Sequence, residues 1–255
     1  MELQSNNYFS QEANTQYMSR SLYQKFMSCE HGAMGYLNGY PEPPNTAFLV
    51  GSYVHAWAEG NLEQFISDHQ EQIQTKQGKL RAEFEQANQM IATLQSDPFV
   101  MHTLTGQHEV IMTADLFGAT WKAMFDVYVP GKRIVDLKTT RAIRGYKSFI
   151  EQYDYFSQVA LYLEIERINA GRPEGEWLEF YMVAVSKETI PDKEVINLTD
   201  YERIAVELAK IEGNMTRIHR VKSGEIEPLR CEQCDYCKAT KKLTRAIDYR
   251  ELEVS

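Results

Sequence analysis

Between residues 107 and 139 apolar and polar positions alternate in three closely spaced runs, 107–117, 119–129 and 133–139, each of strand length and joined by short turns. Around this block the period becomes helical. MSRSLYQKFMS places Met18, Leu22 and Phe26 on one face, with Ser19 as its cap. FLVGSYVHAWAEG reads as a helix carrying His55, and a Gln- and Glu-rich helical stretch follows from about Asn61 to Leu94. Beyond the three runs come a helix near 146–168, a strand in WLEFYMVAVS, a short strand in KEVINL and a helix from about 200 to 222. This order predicts an α/β fold, a central mixed sheet flanked by helices, without setting the strand order.

At 255 residues, 43% hydrophobic and 25% charged, the chain is long enough for one well-filled core, so a single domain over 1–255 is expected, with its centre at about 46–200. The clearest break is the turn-like GYPEPPNT at 39–46, and no repeat or low-complexity segment interrupts the rest. No apolar run approaches the ~20 residues that span a bilayer. The start, MELQSNNYFSQEAN, lacks a basic segment followed by an apolar one, so a reducing cytoplasm is the expected setting.

A net charge of −9 argues against a general nucleic-acid coat, yet the average hides local bias. From Lys132 to Lys147 six basic residues face one acid, Asp136, and from 215 to 245 eight face four. For any single lysine a solvated surface is the ordinary account. Taken together, the two patches make a candidate track for DNA, with Arg141, Arg144 and Lys147 beside the third strand.

That third strand, KRIVDLKTT, carries the chemistry. Ile134, Asp136 and Lys138 share one of its faces and Val135 and Leu137 the other, so one face is expected to pack and the other to face a reaction. Asp126 interrupts the apolar run MFDVYV, where a carboxylate without a partner is costly. Gln158 and Tyr162, four apart in YDYFSQVALYLEIERI, share a helix face. Glu109, in HEVIMTADLF, is a lesser acidic candidate. A DxK triplet alone arises by chance about once in a chain of this length, and it is the ordered set that carries weight. Oxygen ligands from Asp126 and Asp136 suit Mg²⁺, an imidazole from His55 widens the tolerance to Mn²⁺, and Lys138 offsets charge developing on a phosphate.

Four cysteines form a second cluster: Cys29 near the start, and Cys231, Cys234 and Cys237 in LRCEQCDYCKATKK. The latter stretch is polar and basic, which fits a metal site better than buried thiols. In a reducing compartment disulfides are not expected. Zinc and an iron–sulfur cluster both accept four thiolates, and spacing alone leaves both open. Either would clasp the two ends of the chain across a long loop.

The order GxxxH, D, DxK, QxxxY resembles the RecB-type branch of the PD-(D/E)XK nucleases, and the chain is most similar to phage-encoded RecE-like exonucleases over nearly its whole length. The second acid, often Glu in the superfamily, is Asp136 here. The resemblance implies a restriction-endonuclease-like core, metal held by His55, Asp126 and Asp136, a catalytic Lys138, and Gln158 and Tyr162 approaching DNA or bracing the site. It also implies a 4Fe-4S cluster on Cys29, Cys231, Cys234 and Cys237, although CxxCxxC is tighter than the usual spacing of the last cysteine. The implied activity is a Mg²⁺- or Mn²⁺-dependent exonuclease at linear duplex ends, handing single strands to an annealing protein in the cytoplasm of a bacterial host. Rings of several subunits occur among such phage enzymes. A CRISPR-adaptation type nuclease trimming single strands and a non-catalytic DNA-binding scaffold are the alternative functions. No GxxxxGK[ST] stretch supplies a motor.

Overall fold

The computed structural model describes every residue except 42, 44, 146, 147 and 253–255, with the backbone alone at 251–252. The alternating runs form β1 (Gln107–Leu116), β2 (Ala119–Val129) and β3 (Arg133–Thr140), and the two later strands are β4 (Glu179–Ser186) and β5 (Lys193–Asn197). They lie in sequence order in one sheet. All neighbours pair antiparallel except β3 and β4, which are parallel. Phe117 and Gly118 turn β1 into β2 with φ of 53° and 77°, the sign pair that a tight hairpin needs to match strand twist. The expected mixed sheet flanked by helices is what the chain adopts.

The helices are α1 (Gln11–Gln16), α2 (Arg20–Ser28), α3 (Glu30–Leu37), α4 (Thr46–Ala58), α5 (Leu62–Asp68), α6 (Gln70–Ile73), α7 (Ala82–Gln95) and α8 (Pro98–Thr103) before the sheet. After β3 come α9 (Phe149–Gln152) and α10 (Tyr155–Ala170), and after β5 come α11 (Tyr201–Lys222) and α12 (Asp235–Ala239), with a short 3₁₀ turn at Tyr249–Leu252. The chain divides into two compact units, one of residues 1–20 and 43–215, the other of 21–42 and 216–255. The GYPEPPNT break contains one passage between them.

In the first unit the sheet presents Val127, Val135, Leu137, Val183 and Val185 to a helical layer. That layer supplies Val50, Tyr53 and Val54 from α4 and Phe84, Ala87, Met90 and Leu94 from α7. Burying each such valine, leucine, methionine or phenylalanine side chain is worth about 1.5–3 kcal/mol, which makes this layer the main support of the central strands. On the alternate positions of β3 both Ile134 and Asp136 are buried, so the face expected to lie open is also covered. Over Asp136 the cover comes from α10, with Gln158 reaching the carboxylate.

Two expected helices are broken. The stretch 61–94 divides because Thr75 and Gly78 make a turn, with Gly78 at φ +78°, where a glycine carries no steric cost. The helix near 146–168 divides at Asp154, whose φ of +51° is left-handed, a region that Asp tolerates better than most residues. Arg20 holds that kink by donating to the carbonyls of Tyr153 and Asp154 at 2.5 and 3.1 Å.

Candidate active site

The site begins where two ladders lapse. β2 and β3 pair from Val129↔Arg133 to Val127↔Val135 and stop, one step short of bringing Asp126 opposite Asp136. The N–H of Leu137, which would continue a ladder, donates instead to Asp126 Oδ2 at 2.7 Å. On the other side of β2, the pairing with β1 skips the step between His108↔Val127 and Val110↔Phe125, which would match Glu109 with Asp126. Glu109 there has φ +50°. A non-glycine residue held left-handed costs of the order of 1–3 kcal/mol, a strain that folded proteins keep mostly at working sites.

The polar side chains answer one another in this gap. His55, on α4, sets Nδ1 3.5 Å from Asp126 Oδ1. Lys138 Nζ lies 2.9 and 2.8 Å from the two oxygens of Asp136, and Gln158 Nε2 donates to Asp136 Oδ1 at 2.6 Å. Burial would lift the Asp126 carboxyl, but His55, Lys138 and the Leu137 N–H outweigh it and bring it down to about 2. Burial likewise works against a charged His55, and Asp126 overrides it, leaving the imidazole above its ordinary value. For Asp136 the balance reverses: burial, with the Asp126 charge adding to it, outweighs Lys138 and raises the carboxyl. Lys138 is raised, its burial more than offset by the two aspartates.

One atom bears directly on whether this set suits a cation. Asp136 Oδ2 is buried and has no hydrogen bond of acceptable geometry, although the Lys138 ammonium is close. Asp126 and His55 act electrostatically on this carboxyl, and carboxylate and imidazole are ligands that suit a hard divalent ion, although among the described residues only the cysteines converge tightly enough to form a ligand cluster as they stand. His55, Asp126 and Asp136 are the residues that would hold it.

Of the other expected residues, Tyr162 is half-buried with its ring 5.2 Å from that of Phe125, and burial holds its phenol far above the usual value. Gln158 is buried against Asp136. Arg141 and Arg144 are exposed, and Arg144 is paired with Glu194. Lys147 lies outside the described residues. Part of the second basic patch is answered by carboxylates: Arg217 pairs with Glu30, Arg220 with Glu225, and Arg230 and Lys241 with Glu232.

Three residues that sequence reasoning passed over border the site. Tyr155 lies under Lys138 and Arg20, with its ring centroid 5.8 and 5.7 Å from the two cationic groups. Its place three residues before Gln158 was a usable signal, since that spacing puts both on one helix face. Glu59 stands four residues after His55, again on one face, and burial together with Glu109 pushes its carboxyl up to about 7. Nothing in MSRSLYQ marks Arg20 as a half-buried group bonded to the backbone at 153–154.

In the second unit Cys29, Cys231, Cys234 and Cys237 come together, with all four sulfurs within 4.8 Å of one another. Among the described residues this quartet is the group of potential ligands that converges so tightly. Burial pushes the Cys29 thiol up to about 12, while the N–H groups of Cys234 and Gln233 draw Cys231 down to about 6. Glu30 ties the stretches of this unit, accepting from Arg217 through both oxygens and from Leu229 N–H at 2.7 Å.

Residues 19–240 match a family described as a PDDEXK-like domain of unknown function (DUF3799). A solved structure from Eubacterium rectale, described provisionally as an exonuclease, is 43% identical, and the match covers 100% of this chain and 99% of that one at a TM-score of 0.92. A second solved structure, SSO0001, is 13% identical over 78% of this chain and 85% of that one, with a TM-score of 0.31 that carries no weight. No curated protein matches the chain.

Proposed function

The chain belongs to the PDDEXK-like domain family (DUF3799), and from that premise we propose that it is a metal-dependent DNA exonuclease acting at linear duplex ends. The observation that carries the reading is the buried Asp136 and Gln158 with the half-buried Lys138, set beside Asp126 and His55 where both ladders of β2 lapse. The related Eubacterium rectale structure, provisionally an exonuclease, points the same way.

In this reading Mg²⁺ or Mn²⁺ is the cofactor, and when bound to His55, Asp126 and Asp136 it supplies charge neutralisation of the phosphate and a more acidic water. The protein's own groups do the rest. Leu137 N–H and His55 fix the two oxygens of Asp126, so this carboxylate needs little reorganisation to act as a ligand. Gln158 fixes one oxygen of Asp136, and the other, beside the Lys138 ammonium, is left without a hydrogen bond of acceptable geometry. Lys138, kept charged by the two aspartates, offsets negative charge on the non-bridging oxygens as the phosphate is attacked. Tyr155 and Tyr162 wall the site on the α10 side. Arg141, Arg144 and Lys147 are proposed to meet the DNA backbone. The exposed strand would pass to a single-strand annealing partner, as the RecE-like resemblance implies.

The test is degradation of end-labelled linear duplex and single-stranded DNA with Mg²⁺, with Mn²⁺ and with EDTA, alongside Lys138→Ala. Metal-dependent loss of duplex that the variant abolishes is the expected result. Cleavage that survives EDTA or the substitution would contradict the assignment, and cleavage of single strands alone would favour an end-trimming nuclease of the CRISPR-adaptation type.

A further inference from the structure

The cysteine quartet has a size, and its size discriminates between occupants. Cys29 Sγ lies 3.5 Å from Cys237 Sγ and 3.8 Å from Cys234 Sγ, within a set no wider than 4.8 Å. Four thiolates bound to one zinc ion at about 2.3 Å occupy a tetrahedron with edges of about 3.8 Å. In an iron–sulfur cube each thiolate caps a separate iron, so the cluster's own body stands between the sulfurs and the quartet must open well beyond the single-ion edge.

The surroundings hold it at the smaller size. A Cβ at Gly32 would lie 3.3 Å from Cys234 Sγ and 3.5 Å from Cys29 Sγ, so the α3 backbone backs directly onto two of the sulfurs. One turn on, a Cβ at Gly35 would meet the Tyr236 ring at 2.6 Å. That ring is also packed against His31 and Tyr40, with centroids 4.7 and 4.8 Å away, which presses α12 onto α3. The N–H groups of Gly32, Cys234 and Cys237 donate to the sulfurs of Cys29, Cys231 and Cys234 at 3.2, 3.3 and 3.5 Å, fixing the direction of each. Opening the quartet would break these bonds and the Gly35–Tyr236 contact together.

We propose that the four cysteines bind a single tetrahedral zinc ion and not the 4Fe-4S cluster that the RecB-type resemblance implies. Tetrahedral all-sulfur coordination without an open position is the form of a structural zinc site. The proposal is independent of the nuclease reading, because all its residues lie in the second unit.

The full-length protein, purified anaerobically from medium containing both metals, should carry about one zinc per chain, little acid-labile sulfide and no broad visible absorption. Replacing the ion with Co²⁺ should give the thiolate-to-cobalt and ligand-field bands of a tetrahedral four-sulfur site, weakened in Cys234→Ser. Several irons per chain with matching sulfide would overturn the proposal. So would one iron without sulfide, or a folded protein that holds no metal and gives no cobalt spectrum.

Discussion

The two polar clusters of this chain are built on opposite terms. Around β3 the charges are spent on each other: Asp136 on Lys138 and Gln158, Asp126 on His55 and the Leu137 N–H. In the second unit four cysteine sulfurs are crowded together, held by backbone N–H groups, and burial pushes the Cys29 thiol up to about 12. A cluster whose charges are paired apart from one oxygen, Asp136 Oδ2, can gain and lose a cation without disturbing the fold. A cluster of crowded thiols is completed by an ion, and the ion's binding energy becomes folding energy.

The largest effect that would sharpen this contrast is on catalysis. Lys138→Ala should lower kcat for DNA hydrolysis by roughly 10²–10⁴-fold, the range for losing a group that acts on developing charge. The variant should also lose stability progressively as pH rises through and above the ordinary carboxylate range. Its buried Asp136, without an ammonium, has a folded pKa above the unfolded value, and the penalty grows as the unfolded carboxyl ionises. Thermal melts across that range measure it, and a pH-independent difference would contradict the role given to burial.

Breaking the other cluster should act on stability first. Cys234→Ser is expected to cost about 2–5 kcal/mol, the range for losing a cross-link that closes a long loop, and to lower soluble yield. Gly35→Ala should cost about 1–3 kcal/mol by displacing the Tyr236 ring, and Tyr236→Ala placed in the same chain should remove most of the added penalty from the alanine. Additive losses in that cycle would mean that the two residues do not share a contact.

The smallest effect concerns Glu59. Its raised carboxyl makes the folded state favour the neutral form, so no penalty exists below its unfolded value and a constant one exists above about pH 7. Glu59→Gln should therefore raise the melting temperature at pH 8 by roughly 2–4 °C, after allowance for its partial exposure, and leave it unchanged at pH 4. Equal shifts at both pH values would tie the gain to packing instead.

Much of this was legible in the chain itself. The three strand-length runs placed β1, β2 and β3 to within a residue at their ends, because turns at 117–118 and 130–132 bound them. The ordered His55, Asp126, Asp136, Lys138 and Gln158 set named the residues that the fold brings side by side. What stayed hidden depended on tertiary balance. The lapse of both ladders at Asp126 and the left-handed Glu109 leave no trace in composition. Arg20 looks like a solvated helix residue until its bonds to the Asp154 kink are seen. The covering of Asp136 by Gln158 follows from the parallel crossover that carries α10 between β3 and β4. The resemblance to cluster-bearing nucleases did not carry the width of the cysteine quartet, which is set by Gly32, Gly35 and Tyr236.

The most direct test withdraws Mg²⁺ from the active protein by gel filtration, then returns it, while nuclease rate, melting temperature and bound zinc are followed on the same sample. The account predicts that the rate falls to background and recovers, with zinc and melting temperature unchanged throughout. A fall in rate that tracks loss of zinc and of thermal stability would show that the cysteine quartet, and not the Asp126 and Asp136 site, carries the metal dependence.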